Sequence, residues 1–370
     1  MEEFGSTDFF QWQRSSRLWS VLFVLVFVAA ALIWFVVINF GLDFIFVHFL
    51  YKQKNLDHRI FITQSLYITP PMLATVIFAG YTFFCSLARL HSIKENGSTY
   101  VATALGGIPL GETESVINSP AGRKQETVLK NVVSEMAIAS RMPEPDIYIL
   151  PRETSINAMA TGLNSEEAAV LVTRGALKYL TRQELSGIIG HEFSHILNGD
   201  MRHNTLMAGW LHGFFSLTTF GQKILFKGSY RSLCSVPMGV FLIIIGFLGK
   251  IVGKIIQSAF NRRREYLADA SSVQFTRNPL DLAGVLKKVG GLDQGSRIMA
   301  KNALDCRHFF LATPDKSIFR THPPLEDRIW ALDPNWNGHW HDFEKNPVDF
   351  LAEPKTKKLP SPDPKKMSGI

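Results

Sequence analysis

Apolar positions in this chain fall into long uncharged blocks and, between them, short segments with the spacing of helices and strands. Residues 18–40 form a mainly apolar run without a charge, longer than the roughly 20 residues needed to cross a bilayer. The polar stretch 1–17 before it carries Glu2, Glu3 and Asp8. A cleaved signal peptide has a basic start and a shorter apolar core, so the run reads as a retained anchor. Residues 44–51 follow Asp43 and read as interfacial, 52–69 as a more polar connection and 70–90 as a second span. A soluble stretch then runs from 91 to about 204. Turns are expected at Gly106-Gly107 and Pro120-Ala121-Gly122, and a helix at 128–139, broken by Met142-Pro143-Glu144-Pro145. Short strands are expected at 146–150, 156–161 and 168–172. Thr181-Arg182-Gln183-Glu184 has the form of a capping box. Beyond it Leu185, Ile188, Ile189, Phe193, Ile196 and Leu197 make a helix apolar over most of its circumference, which suits a core element.

Two further apolar runs lie within 205–260. The first, 206–226, contains His212, Gln222 and Lys223, and the second, 237–249, is followed by Lys250 and Lys254. They read as a hydrophobic hairpin that either crosses the membrane or packs against the rest of the chain. From Arg262-Arg263-Arg264 the chain turns basic; 279–289 is a helix closed by Gly290-Gly291, and the second soluble part extends to about 350. The tail 351–370, rich in Pro and Lys, has little to bury and is expected to be disordered.

Composition sharpens this picture. The chain has 370 residues, 28 of them Phe, a formal net charge of +7 and a mean hydropathy of +0.08. That is too apolar for an ordinary soluble enzyme, and the length suits one catalytic domain plus membrane segments. Cys85, Cys234 and Cys306 are far apart and form neither a metal pattern nor a disulfide framework. The basic excess sits largely in flanking segments and the tail, so it does not indicate nucleic-acid binding.

The candidate chemistry sits on the core helix. His191 and His195 are four apart and share one helical face, so both imidazoles can reach one ion. Neutral imidazole suits zinc, whose catalytic sites use three protein ligands and leave one position open. Zinc lowers the pKa of bound water to about 7. Glu192, about 100° round the helix from His191, is better placed to take a proton from that water than to ligate. The best third ligand is Glu265. Asp269, one turn later on the same face, could accept the spare N–H of a ligating histidine; on the residues alone, the two carboxylates also fit a solvated acidic face paired with the arginines beside them.

Four segments in this order resemble the HtpX-like family of membrane zinc endopeptidases, gluzincins related to the type 1 CAAX prenyl proteases. They are Ile156-Asn157-Ala158-Met159-Ala160-Thr161-Gly162, His191-Glu192-Phe193-Ser194-His195-Ile196-Leu197-Asn198-Gly199-Asp200, Glu265-Tyr266-Leu267-Ala268-Asp269 and Thr321-His322-Pro323-Pro324-Leu325-Glu326-Asp327-Arg328. The resemblance covers roughly 129–332. It implies an α+β fold: a mainly helical gluzincin-like domain with a small sheet, plus two to four transmembrane helices. It implies one Zn2+ per chain, held by His191, His195 and Glu265, with Glu192 as general base and Asp269 in support. Asn157 and Ala158 would border the substrate groove, and His322 and Arg328 would lie near the site, His322 helping to stabilise the oxyanion. A structural pair beside the Pro323-Pro324 turn is the other reading of His322 and Arg328. The implied substrates are misfolded or membrane polypeptides, and the implied setting is a bacterial inner membrane.

Because His195 and Glu265 must meet at one ion, the runs between them cross the membrane an even number of times or not at all. Near-membrane Lys and Arg are slightly in excess on the side of the catalytic residues, which points to a cytoplasmic catalytic face. A catalytically silent adaptor on the same fold would be expected to have a damaged site, and here the three ligands and the base are intact. A transporter would need several ionisable residues inside its spans, and His212 is the sole mid-span candidate in the first three runs.

Overall fold

The computed structural model describes residues 76–88, 105–111, 120–162, 164–227, 235–293, 295–298 and 322–343, with scattered single positions before residue 104. The expected anchor at 18–40, the interfacial run at 44–51, the polar N-terminus and the tail at 351–370 therefore lie outside the described residues, single positions apart.

An apolar helix α1 (Val76–Ala88) comes first, then strand β1 (Ile108–Pro109) and helix α2 (Pro120–Ser140). Strands β2 (Asp146–Leu150), β3 (Ala158–Thr161) and β4 (Ala169–Thr173) follow, with helices α3 (Arg174–Tyr179) and α4 (Arg182–Leu197). The long pair α5 (Asp200–Lys227) and α6 (Ser235–Thr276) precedes α7 (Pro279–Gly291) and α8 (Leu325–Leu332).

The sheet has the order β1-β2-β4-β3, with β2 and β4 parallel and the outer pairs antiparallel. Both faces are covered, which is why its strands read as nearly continuous apolar runs. Ile147, Ile149, Ala158, Ala160, Val170 and Val172 pack in the main core, where α2, α4 and α7 contribute Val132, Phe193 and Leu286. Tyr148, Leu150, Met159 and Leu171 alternate onto the other face. β3 pairs with β4 alone, so it is an edge strand, yet all four of its residues are buried. Its core-facing side chains Ala158 and Ala160 are small, which lets α4 approach closely. On α4 itself, Gly187 lies against the first turn of α7: a Cβ there would come within 2.8 Å of Leu282 N. Ser272 of α6 donates to Gly187 O at 2.6 Å.

Elements missing from the sequence reading are short or locally capped. β1 is two residues long, below any periodic signal. α3 is six residues capped by Thr173, whose hydroxyl accepts from Ala176 N. Pro120-Ala121-Gly122 opens α2 where a turn was expected, in keeping with the tolerance for proline at a first helical position.

The largest difference concerns α6. The apolar run at 237–249 and the segment bearing Glu265 are one helix of 42 residues, about 63 Å long at 1.5 Å per residue. Lys250 and Lys254 interrupt the apolar pattern but not the helix, because lysine is a good helix former; Lys250 Nζ lies 4.9 Å from the centre of the Phe215 ring. Among the described residues α6 is the one helix long and apolar enough to cross a membrane by length and composition. It packs antiparallel on α5 through small residues. A Cβ at Gly246 would come within 2.8 Å of Phe214 O, and one at Gly221 within 2.7 Å of Gly239 O. Val240, Ile244 and Phe247 point outward and are exposed. Small residues inside and large apolar ones outside is the pattern of helices that pack in lipid. α1 joins the hairpin through Phe78 and Tyr81 against Phe220, at 6.1 and 5.5 Å between ring centres.

Candidate metal centre

The helix carrying the histidines is fixed at its start. The Thr181 side chain accepts from Glu184 N, and Glu184 Oε2 accepts from Thr181 N at 2.7 Å, completing the expected capping box. The same oxygen takes the buried Lys288 ammonium at 2.6 Å, which ties α4 to α7. From this base α4 projects His191, Glu192 and His195, while α6 brings up Glu265 from the facing side.

His191 Nε2 and His195 Nε2 stand 3.2 Å apart. Glu265 Oε2 is 3.5 Å from the first and Glu265 Oε1 3.6 Å from the second. Ligands about 2.0–2.1 Å from a tetrahedral ion are about 3.3 Å from one another. With one donor atom from each side chain, the three lie within 4.8 Å of one another, and this donor set of two imidazoles and a carboxylate fits zinc. All three converge among the described residues as one group able to hold a metal. His195, with its side chain 17% exposed, is the most open of them; His191 and Glu265 are closed off. Access to the centre thus runs past His195.

Each of the three side chains is held by a further group. His191 Nδ1 lies 2.9 Å from Asp269 Oδ1. Asp269 is gripped by both arms of Arg328, from Nε at 2.8 Å and Nη2 at 2.6 Å. Arg328 is fully buried, and its Nη1 reaches to 3.4 Å from Glu265 Oε2. His322 Nδ1 is 3.0 Å from that same oxygen, and His322 Nε2 is buried without a hydrogen-bond partner. The structure thus brings His322 and Arg328 to the centre, against its carboxylates.

Glu192 Oε2 accepts a hydrogen bond from Ala160 N at 2.8 Å. Ladder hydrogen bonds alternate along an antiparallel strand, so the outward-facing groups of β3 are those of Ala158 and Ala160, and one of them already holds Glu192. Burial raises the Glu192 carboxyl above its ordinary range, although the imidazoles of His195 and His191 pull the other way. Burial alone would lower His191, but Asp269 and Glu265 together raise it to about 9. His195 is lowered by burial and by the neighbouring His191. Asn157 faces inward: its amide donates to Ser296 O at 2.8 Å, and its backbone exchanges hydrogen bonds with Thr173.

Asp200 was not singled out in the sequence. Its Oδ2 is 2.8 Å from His195 Nδ1, and its other oxygen contacts Arg264. The available signal was its position just past the helix break at Asn198-Gly199, where Gly199 adopts a φ of +67°, five residues after His195. The contact between Glu192 and Ala160 had no sequence signal, because it depends on how α4 lies on the sheet.

Residues 123–335, which include every residue of this centre, match the family model described as Peptidase family M48. A curated relative from Streptococcus uberis, named protease HtpX homolog, is 35% identical over 217 residues, covering 55% of this chain and 71% of its own. Another of that name, from Thermoanaerobacter pseudethanolicus, is 36% identical over 223 residues, covering 58% and 73%. The crystal structure of S. mikatae Ste24p superposes with 16% identity over 84% of this chain and 75% of that chain, at a TM-score of 0.34 too low to argue from. On the family model and these relatives, the chain belongs to peptidase family M48 as an HtpX-like membrane metalloprotease.

Proposed function

We propose that this chain cleaves peptide bonds inside polypeptides at a single zinc ion held by His191, His195 and Glu265, and that it acts on misfolded or membrane proteins from the cytoplasmic side of a bacterial inner membrane. The observation that carries the reading is the convergence of His191, His195 and Glu265, one donor atom each within 4.8 Å of the others, beside the buried carboxylate of Glu192. The bound ion would supply Lewis acidity toward water and the scissile carbonyl. Glu192 takes the proton of the attacking water and delivers it to the leaving amine. Ala160 N–H orients that carboxylate toward the centre. His322 Nε2, buried and without a partner, is available to the developing oxyanion.

Substrate would add as a further strand along the outer edge of β3. Main-chain hydrogen bonds grip a polypeptide whatever its side chains, which suits a protease for damaged proteins. Ala158 supplies outward-facing backbone groups for this pairing, and Asn157 anchors the strand from within. The apolar outer face of α6 and its glycine-packed seam with α5 support membrane insertion of the hairpin.

Purification in detergent, measurement of bound metal and a casein-cleavage assay with and without chelator test the reading together. One zinc per chain and cleavage abolished by chelator are expected. Cleavage that survives complete metal removal would reject the assignment, and stoichiometric zinc with no cleavage of any polypeptide would favour the silent adaptor.

A further inference from the structure

The two histidines of the centre are braced by two separate carboxylates, and the second brace comes from the hydrophobic hairpin. Asp200 is the first residue of α5, and Arg264 stands on α6 immediately before Glu265. Both are buried, at 3% and 6% exposure. Asp200 Oδ2 lies 2.8 Å from His195 Nδ1, while Arg264 contacts the other oxygen and donates from Nη2 to Asn198 O at 2.7 Å. Arg264 thus spans the end of α4, the start of α5 and its own helix. The layout parallels Arg328–Asp269–His191, but its members belong to the mouth of the hairpin.

We infer that Asp200 and Arg264 are positioning residues for the metal, and that closure of the α5–α6 mouth is what sets His195. A carboxylate on Nδ1 fixes the tautomer that leaves Nε2 free to ligate, and it strengthens the imidazole as a donor. Arg264 holds Asp200 at the correct point and prevents its charge from standing alone in a buried place. The inner carbonyl of Asn198 adds direction: a planar guanidinium can serve both acceptors at once, and an ammonium cannot reach both in the same geometry. His195 is also the most exposed of the three ligands. It has the least packing to hold its ring and therefore depends most on this brace. Metal retention becomes a property of the hairpin as well as of the soluble core.

The inference rests on the zinc reading above. It is tested on the full chain in detergent with Co2+ and Zn2+ affinity, measured by competition with a chelator, together with the visible spectrum of the Co2+ form. Asp200→Asn should weaken affinity by about 10–100-fold, the usual cost of removing such a support, and should shift the Co2+ spectrum. The metal-free protein should melt lower as well, because Arg264 loses its buried partner, and the loaded protein should lose more than the metal-free one. Arg264→Gln should show a smaller loss, and the double variant should bind no worse than Asp200→Asn alone, since both substitutions break one arm. Affinity within twofold of wild type with an unaltered spectrum would overturn the inference. So would equal melting losses in metal-free and loaded protein, which would mark a purely structural pair. If Asp200→Asn does not fold, Arg264→Lys decides: a several-fold loss is expected, and unchanged affinity overturns it. Wild-type protein that binds neither metal would instead sink the zinc assignment itself.

Discussion

At the scale of single residues, the centre concentrates charge that only mutual pairing makes tolerable. Arg328 faces two buried carboxylates, Asp269 and Glu265. Replacing it with methionine keeps much of the volume and strands both anions. Chemical denaturation of Arg328→Met should therefore show a loss of about 3–5 kcal/mol. Glu192→Gln is the opposite kind of change: it retains every ligand and can still accept from Ala160 N. It should keep its zinc and lose turnover by about 10²–10⁴-fold, while Glu265→Ala should lose the metal itself. Stoichiometric zinc of unchanged affinity in Glu265→Ala would displace it as the third ligand. Away from the centre, Asp281 stands at the junction of α4 and α7, where burial and the nearby Glu184 raise its carboxyl to about 6, against the pull of Asn278. A carboxyl that holds its proton more tightly folded than unfolded contributes stability below about pH 4, and that contribution is lost as pH rises toward 6. Asp281→Asn should thus raise the melting temperature at pH 7.5 and leave it nearly unchanged at pH 4, with a gain on the order of 1 kcal/mol after allowance for its partial solvation.

At the scale of elements, β3 and α4 are joined by the hydrogen bond from Ala160 N to Glu192. Ala160→Pro removes the N–H that holds Glu192 and blocks outward pairing. It should keep zinc and helical circular dichroism while peptide turnover falls at least about tenfold, roughly 1.4 kcal/mol of transition-state stabilisation. Full activity in the folded variant would exclude β3 from the reaction, and loss of zinc with unfolding would mark a strand whose place is purely structural. Much at this scale was legible in advance. The capping box at Thr181, the three longer strands and the helix from Pro279 follow from local pattern, because capping and period act over a few residues, although Gly290-Gly291 lie inside that helix and do not close it. Joining the apolar arm to the Glu265 helix was not legible, since two lysines look like a boundary to a hydropathy reading and mean little to a backbone. Asp200 escaped for a different reason: its partner Arg264 lies 64 residues away, and nothing in the sequence around either residue announces the other.

At the scale of the whole molecule, a hairpin that crosses the bilayer would fix where the catalytic part sits. If α5 and α6 cross the bilayer, a cysteine at Ser229, in their connection, should react with impermeant reagent from the face opposite one at Glu126. Reaction of both from one side would mean a hairpin lying against the catalytic part. The unbroken α6 then has a mechanical meaning. Glu265 stands about 20 residues, or roughly 30 Å, beyond the middle of the apolar segment. A rigid rod of that reach turns a tilt of about 5° into a displacement of roughly 2–3 Å at its far end, whereas ligand distances tolerate about 0.2 Å. Tilt is one way a helix answers a bilayer thinner than its apolar length. The protein would in that case act as a thickness gauge, active where the lipid lets Glu265 meet the histidines and idle where it does not. Cleavage in vesicles of increasing acyl-chain length should pass through a maximum, and a flat profile would show that the rod bends before it reaches the ion.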